Sequence, residues 1–393
     1  MIHLHALVAL VALVAPTWVA CDPQLGRVLE LDATLDTPDS SDTPDAPDTS
    51  PCDPGFWSCT ASGCDPITAL VPGRDAACVL LASGRTVCWG RPGPGLFGDH
   101  IAGTTYVPPH VSDAGFSAFA LGADLACGLD EAGVACRGDN YYGALGPDVS
   151  PRGSLDLVPI TPAPQGAALA LGAPGTACLV ADAKATCWGL VLDGAEEDEA
   201  GFTKGAPTPI EGLPTQDLQL GLGAFFGCGW SASAVACFGS NLHAQLGIGQ
   251  GIAGDAAARP VALDALPPGP ELAVAVGATH ACAARGGTLA CWGELAPSSD
   301  ELAWTPRVIA TDLPEPVALA AGRHFTCASL GPDRHLRCWG ALAAPPLTGV
   351  ERLAAAFDHA LVQTAAGVFE LGVVSAALDP IAAPTAPVCA VDG

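Results

Sequence analysis

The sequence predicts an all-β fold, a seven-bladed β-propeller whose blades are stapled by disulfides, and three observations predict it. Six cysteine pairs recur at a nearly constant interval, most of their second members open the same tripeptide, and 47 Gly and 36 Pro in 393 residues are too many for long helices. Half the residues are apolar although only 6% are aromatic, a balance that suits many short strands and excludes a helical bundle.

The first element is an export signal. Ala6–Ala15 (ALVALVALVA) is an apolar run too short to span a bilayer and is followed by a cysteine and a polar tract, so residues 1–20 read as a signal peptide. Val19-Ala20-Cys21 resembles the end of a bacterial lipobox, with Trp18 where Leu is usual, and the resemblance implies that Cys21 is lipidated after cleavage. Seventeen cysteines agree with export, because a reducing cytosol would hold them as free thiols. The expected location is the cell envelope, as a lipoprotein, or the medium, with a lipid anchor as the only membrane contact.

Residues 21–65 form the second element, an acidic tether. Asp22–Asp53 holds eight Asp, one Glu and one Arg among Pro, Ser and Thr, too little apolar surface to offset its ordering entropy. Its repeated Asp-Pro spacing keeps the carboxylates from converging on a calcium ion. Across the chain, 41 acidic residues face 15 Lys plus Arg, and a net charge of −26 repels phosphate and excludes nucleic acid as a partner.

The remaining residues, 66–393, carry the repeats. The pairs are Cys78/Cys88, Cys127/Cys136, Cys178/Cys187, Cys228/Cys237, Cys282/Cys291 and Cys327/Cys338, and their second members advance by 48, 51, 50, 54 and 47 residues. Cys88, Cys187, Cys237, Cys291 and Cys338 open CWG or CFG, and Cys136 opens CRG. A seventh copy lacks the cysteines: His359-Ala360-Leu361 matches His280-Ala281-Cys282, and Glu370-Leu371-Gly372 falls where Cys291-Trp292-Gly293 would. Inside a unit, as in Leu169–Gly189, a short apolar strand ends at a glycine, a second strand carries the first cysteine, and a third ends in CWG. A fourth, outer strand is signalled by proline with an apolar neighbour at Pro109–Val111, Pro159-Ile160, Pro209-Ile210, Pro260-Val261, Pro306–Ile309 and Pro346-Leu347, since an edge strand needs no donor on its open side. The uncharged stretch Leu218–Leu242 has the length of a membrane span, but its glycines and paired cysteines place it in a blade.

Ring closure and cysteine parity are read together. The tail offers a proline-led strand at Pro380-Ile381, which is expected to complete the first blade. With Cys21 set aside for lipid and twelve cysteines in blade pairs, Cys52, Cys59, Cys64 and Cys389 remain. The closing strand would carry Cys389 to the segment holding the other three, of which Cys64 lies nearest the first strand; the other two would bond to each other.

These residues resemble the regulator of chromosome condensation repeat family, whose repeat runs G-x-x-H-x-C-A-L-x-x-x-G-x-V-x-C-W-G-x-N-x-x-G-Q-L-G. The likeness covers roughly Pro66–Ile381; Asn241–Gly247 and Asn140–Gly146 keep the trailing motif nearly whole, and Gly95–Gly98 is a remnant. The resemblance implies a seven-bladed propeller. Nucleotide exchange on a small GTPase and residence on chromatin, the namesake's roles, do not suit an exported acidic chain. Exported bacterial relatives include a β-lactamase inhibitor that uses one propeller face to bind a protein.

Site chemistry is sparse. The paired cysteines lie nine to eleven residues apart with no C-x2-C, which points to disulfides across a hairpin rather than zinc. Trp89, Trp188, Trp292, Trp339 and Phe238 share one repeat position and read as packing between blades. His280, His324 and His359 read as equivalent blade histidines. The acidic loop Asp193–Glu199 reads as solvated. No nucleophile elbow, phosphate loop or metalloprotease helix occurs, so neither an enzyme, a cofactor nor a metal is expected. The non-repeated loop residues Phe97, Asp139, Tyr141, Tyr142, Phe202, His243 and Trp304 are the candidate contacts for a protein ligand. The expected function is an exported, lipid-anchored monomer that binds a protein of unknown identity; the alternatives are an extracellular enzyme inhibitor of the propeller kind and a propeller enzyme.

Overall fold

Each of the six cysteine hairpins lies in its own antiparallel sheet, and these six sheets and a seventh without cysteines form a closed ring in a computed structural model of the chain. The structure describes residues 65–372 except 92, 94–95, 98–105, 114, 147, 151, 161–167, 193–201, 250, 253, 270, 296–301 and 366. Nearer the N terminus it describes two short strand pairs, Ala20–Asp22 with Arg27–Leu29 and Cys59–Thr60 with Gly63–Cys64. The signal segment ahead of Ala20, most of the tether, Cys52, Pro380-Ile381, Cys389 and the acidic run Asp193–Glu199 lie outside the described residues. No helix among the described residues is long and apolar enough to cross a membrane.

Blade 1 comprises β1 (Ile67–Pro72), β2 (Ala76–Leu81), β3 (Thr86–Gly90) and β4 (Val107–Asp113). Blade 2 is β5 (Ala118–Leu121), β6 (Leu125–Asp130), β7 (Gly133–Gly138) and β8 (Ser154–Pro159). In blade 3 the strands are β9 (Ala168–Gly172), β10 (Thr176–Ala181), β11 (Lys184–Leu192) and β12 (Phe202–Pro209). Blade 4 has β13 (Gln219–Leu222), β14 (Phe226–Trp230), β15 (Val235–Ser240) and β16 (Gly254–Pro260). Blade 5 follows with β17 (Ala273–Val276), β18 (His280–Arg285), β19 (Thr288–Gly293) and β20 (Ala303–Ala310). Three strands each are described for blade 6, β21 (Pro316–Ala321), β22 (Phe325–Leu330) and β23 (His335–Gly340), and blade 7, β24 (Arg352–Ala356), β25 (His359–Thr364) and β26 (Gly367–Gly372).

The repeated residues have identifiable tasks. All six cysteine pairs are directly opposed in register, with Cα atoms 4.0–4.1 Å apart, and are disulfide-bonded. In blade 7, Leu361 faces Glu370 in the same register, so the cysteine-free copy is a true blade. The CWG glycine has positive φ in every cysteine-bearing blade, +99° at Gly239, and a Cβ there would lie 2.5 Å from the Phe225 carbonyl oxygen. In the five blades with a described fourth strand, the register against that strand shifts between the cysteine and the glycine, a β-bulge that lets the outer strand bend away.

The CWG aromatic packs on the preceding blade. Trp89, Trp188 and Trp292 are fully buried, and Trp292 Nε1 donates to the Gln245 carbonyl of blade 4 at 3.0 Å. In blade 2 the exception, Arg137, keeps this arrangement: its buried guanidinium donates from Nε to the Leu96 carbonyl at 3.1 Å and from a terminal nitrogen to Ser112 Oγ at 2.9 Å. Leu96 stands in the remnant motif where Gln245 stands in the full one. An N–H aimed at that carbonyl is thus retained although the ring is lost.

Two expectations about strands are corrected. Among the described residues every sheet consists of strands consecutive in sequence, and Pro109–Val111, in β4, already gives blade 1 a fourth strand. A C-terminal strand is therefore not needed there. The ring closes instead through side chains: Trp89 Nε1 donates to Glu370 at 2.9 Å, and Ile67, Trp89, Leu361 and Val368 share one apolar cluster. The second correction concerns Pro346-Leu347, which forms no strand; Leu347 accepts a bond from the Leu336 N–H at 2.8 Å and donates its own N–H to the Pro345 carbonyl at 2.8 Å. Only 11 residues separate Gly340 from the next blade's Arg352, too few to leave, reverse and return as a strand.

Candidate interaction face

Strand direction alternates within a blade, so the turn between its first two strands and the connection between its third and fourth emerge on one face of the ring. Backbone bonds join the two in successive blades, from Asp139 N to Asp124 O (2.8 Å), Leu190 N to Gly175 O (3.1 Å), Ser240 N to Phe225 O (2.8 Å) and Glu294 N to Thr279 O (3.0 Å). The inner turns also bond to their neighbours: Ala173 N to Gly223 O, Ala224 N to Ala278 O, Ala278 N to Gly322 O and Arg323 N to Phe357 O. This belt surrounds a central cavity of about 120 Å³ lined by Leu121, Leu171, Leu222, Val276 and small residues. At its mouth Arg74 pairs with Asp124 at 3.3 Å and lies 5.5 Å from the centroid of the Phe357 ring, and Arg323 approaches Asp358 at 3.9 Å.

An apolar arc runs outward from this mouth over blades 2 to 5. Tyr141, 62% exposed, meets Tyr142 edge to face at 4.9 Å. Their loop is built from its own side chains: Asp139 accepts the Tyr141 N–H at 2.6 Å, while Asn140 accepts from Leu145 N and donates to the Gly146 and Val149 carbonyls. Asn241 accepts from Leu246 N in the same way, which explains the Asn of the trailing motif. Gly175 of blade 3 leaves room for Tyr142, since a Cβ there would lie 3.2 Å from it. Next along the arc come Phe225, held at φ +63°, and Leu242, both exposed. His243 pairs with Glu294 across the seam to blade 5 at 3.0 Å, and the Trp304 carbonyl accepts from Gly249 at 2.7 Å.

Of the sequence-derived candidates, Asp139, Tyr141, Tyr142 and His243 come together on this face, and Trp304 stands beside it near the start of the outer strand β20, its carbonyl bonded to Gly249 of the blade 4 connection. Phe97 does not. It is buried in the core of blades 1 and 2, edge-on to His110 at 5.2 Å, because the remnant motif folds inward as the complete loops do. Phe202 opens β12, and its side chain lies outside the described residues. Phe225 and Leu242 escaped the sequence reading because they sit in a continuous apolar run; the doubled Phe225-Phe226 before a blade cysteine was the available signal.

The histidines also divide. His280 and His359 occupy the same register position, opposite Gly293 and Gly372, whereas Phe325, not His324, faces Gly340. His324 thus belongs to the inner turn, and the expected equivalence of the three is corrected. His280 is fully buried, with Nε2 2.9 Å from Thr326 Oγ1 of blade 6, and burial pushes its pKa down to about 4. The His324 pKa is also lowered, by burial first, with Glu294 and Asp358 opposing and Arg323 adding to the effect.

A scan against protein-family models finds no match to this sequence, and a search of curated proteins finds none either. Solved structures do match. Human WBSCR16 superposes with a TM-score of 0.61 at 15% identity, covering 76% of this chain and 86% of that one. Yeast RCC1 (Prp20), solved bound to Kap60, gives 0.57 at 18% identity over 84% and 85%. The fold is an RCC1-like propeller. A second structure of Prp20p, from Saccharomyces cerevisiae, gives 0.55 at 20% identity over 67% and 68%, and is described with that protein's binding to Gsp1p and histones. The propeller architecture implied by the repeat is therefore present, and six disulfides fit an oxidising environment.

Proposed function

We propose that this protein is an exported binding module, held at the cell envelope through Cys21, that captures a protein partner on the face bearing the inner turns and the third-to-fourth-strand connections. One observation carries the reading. Tyr141, Phe225 and Leu242, three of the six large apolar side chains exposed among the described residues, lie on that face. The other three, Leu155, Trp304 and Val308, lie on the outer strands β8 and β20. Inner turns tied by a belt of backbone bonds hold the face in shape, which lowers the ordering cost of association. Protein binding by the yeast RCC1 propeller supports the reading by analogy of fold.

The test is capture from the native cell envelope by immobilised wild-type protein, by a Tyr141→Ala/Phe225→Ser double variant and by a Glu131→Ala/Asp217→Ala variant of the opposite face. The expected result is one protein retained by wild type and by the opposite-face variant and lost by the first. Retention by all three removes this face, and turnover of a small metabolite that a single loop substitution abolishes favours an enzyme.

A further inference from the structure

Among the described residues, no strand covers the outer edge of blade 6. The residues following β23 are fully described through Val350, and none forms a strand against it, whereas β4, β8, β12, β16 and β20 cover the corresponding strands of blades 1 to 5. Exposure follows the missing cover. Gly90, Gly138, Gly189, Gly239 and Gly293 are all buried and Gly340 is exposed; their five cysteine partners in the third strand are buried and Cys338 is half-buried. Trp339 is half-buried where Trp89, Trp188 and Trp292 are sealed, and the exposed Arg337 guanidinium lies 5.0 Å from its ring centroid.

The backbone at this edge points outward. In an antiparallel ladder hydrogen-bonded and non-hydrogen-bonded pairs alternate, and Ala341 N donates to His324 O, so Phe325↔Gly340 and Cys327↔Cys338 are the non-hydrogen-bonded pairs. The amide and carbonyl groups of Cys338 and Gly340 therefore face away from β22. Leu336, the remaining outward residue, is capped by Leu347.

We propose that the outer edge of β23 accepts an extended segment of a partner protein as the fourth strand of blade 6. The five complete blades define how it docks: antiparallel, with one residue opposite Cys338 and a bulge before Gly340, as Arg307 stands opposite Cys291 and Ala303 opposite Gly293 in blade 5. Main-chain bonds to Cys338 and Gly340 hold the segment, and its side chain on the Trp339 face meets an aromatic ring carrying a cation, which suits an apolar residue flanked by an acidic one. The site lies on the perimeter of the ring and does not depend on the face proposed above.

The test uses full-length protein and synthetic peptides of the chain's own outer strands, AWTPRVIA (303–310) and SLDLVPI (154–160), as surrogate segments. Hydrogen exchange at the Cys338 and Gly340 amides should slow about tenfold at saturating peptide, with the other six blades unchanged. The same peptides N-methylated at alternate residues should give no protection, which separates strand addition from apolar adhesion. An Arg337→Glu variant should favour a peptide with Lys in place of an acidic residue. Absence of protection with either unmethylated peptide overturns the proposal, as does protection by the methylated peptides. Protection of these amides without peptide, lost on truncation after Gly372 or on dilution of a dimer, assigns the edge to the chain's own tail or to a second copy and equally overturns it.

Discussion

His280 makes stability depend on pH in a way that one substitution should remove. Its imidazole is fully buried at the seam of blades 5 and 6 and stays neutral in the folded chain down to about pH 4, while in the unfolded chain it takes up a proton near 6.5. Between these values the unfolded state binds the extra proton, so stability is intact above about pH 6.5 and falls as pH drops through the window toward 4. A difference of about 2.5 units at 1.36 kcal/mol each amounts to about 3 kcal/mol. His280→Phe is the natural comparison, because Phe325 fills the equivalent register position in blade 6. Thr326 Oγ1 would keep its contact with Cys282 Sγ at 3.2 Å. Urea unfolding of both proteins from pH 7.5 to 4 measures the effect: wild type should lose about 3 kcal/mol more than the variant. Carboxylates that titrate in the same range contribute to both curves and cancel. Parallel curves would refute the reasoning and mean that the buried imidazole is solvated or paired on protonation.

Other outcomes follow from the same geometry. Trp292→Ala should cost about 3–5 kcal/mol in urea unfolding, because it empties a sealed seam and leaves the Gln245 carbonyl without its donor. Trp292→Phe should cost about 1–2 kcal/mol, since Phe238 fills the same position in blade 4. Gly239→Ala should destabilise by about 1–3 kcal/mol through its positive φ and the close Phe225 carbonyl, read as a lower urea midpoint. Metabolic labelling with a fatty acid should mark wild type and not Cys21→Ser; an unmarked wild type free in the medium would remove the anchor. Peptide mapping without reduction should give a Cys59–Cys64 fragment, because those residues are opposed in register as the blade pairs are, and should link Cys389 to Cys52. A Cys64–Cys389 fragment would contradict the hairpin register.

What the sequence determined by itself was local. Cysteines nine to eleven residues apart, a turn between them and CWG at a steady period specify a hairpin whatever surrounds it, because cross-strand pairing is settled within a dozen residues. Repetition then implied the ring, and even the cysteine-free blade was legible from Leu361 and Glu370. Contacts between blades were decided only by the tertiary structure. Phe97 reads as a free loop aromatic until blade 2 covers it, and His324 reads as an equivalent of His280 until the ladder moves it by one residue. The pattern of Pro346-Leu347 is that of an outer strand, yet the short connection to Arg352 overrides it and leaves an edge that no described strand covers. The physical reason is the same in each case: pairing along a hairpin is encoded by neighbours in sequence, whereas burial, register at a seam and the space left by a missing strand depend on residues some 50 positions away.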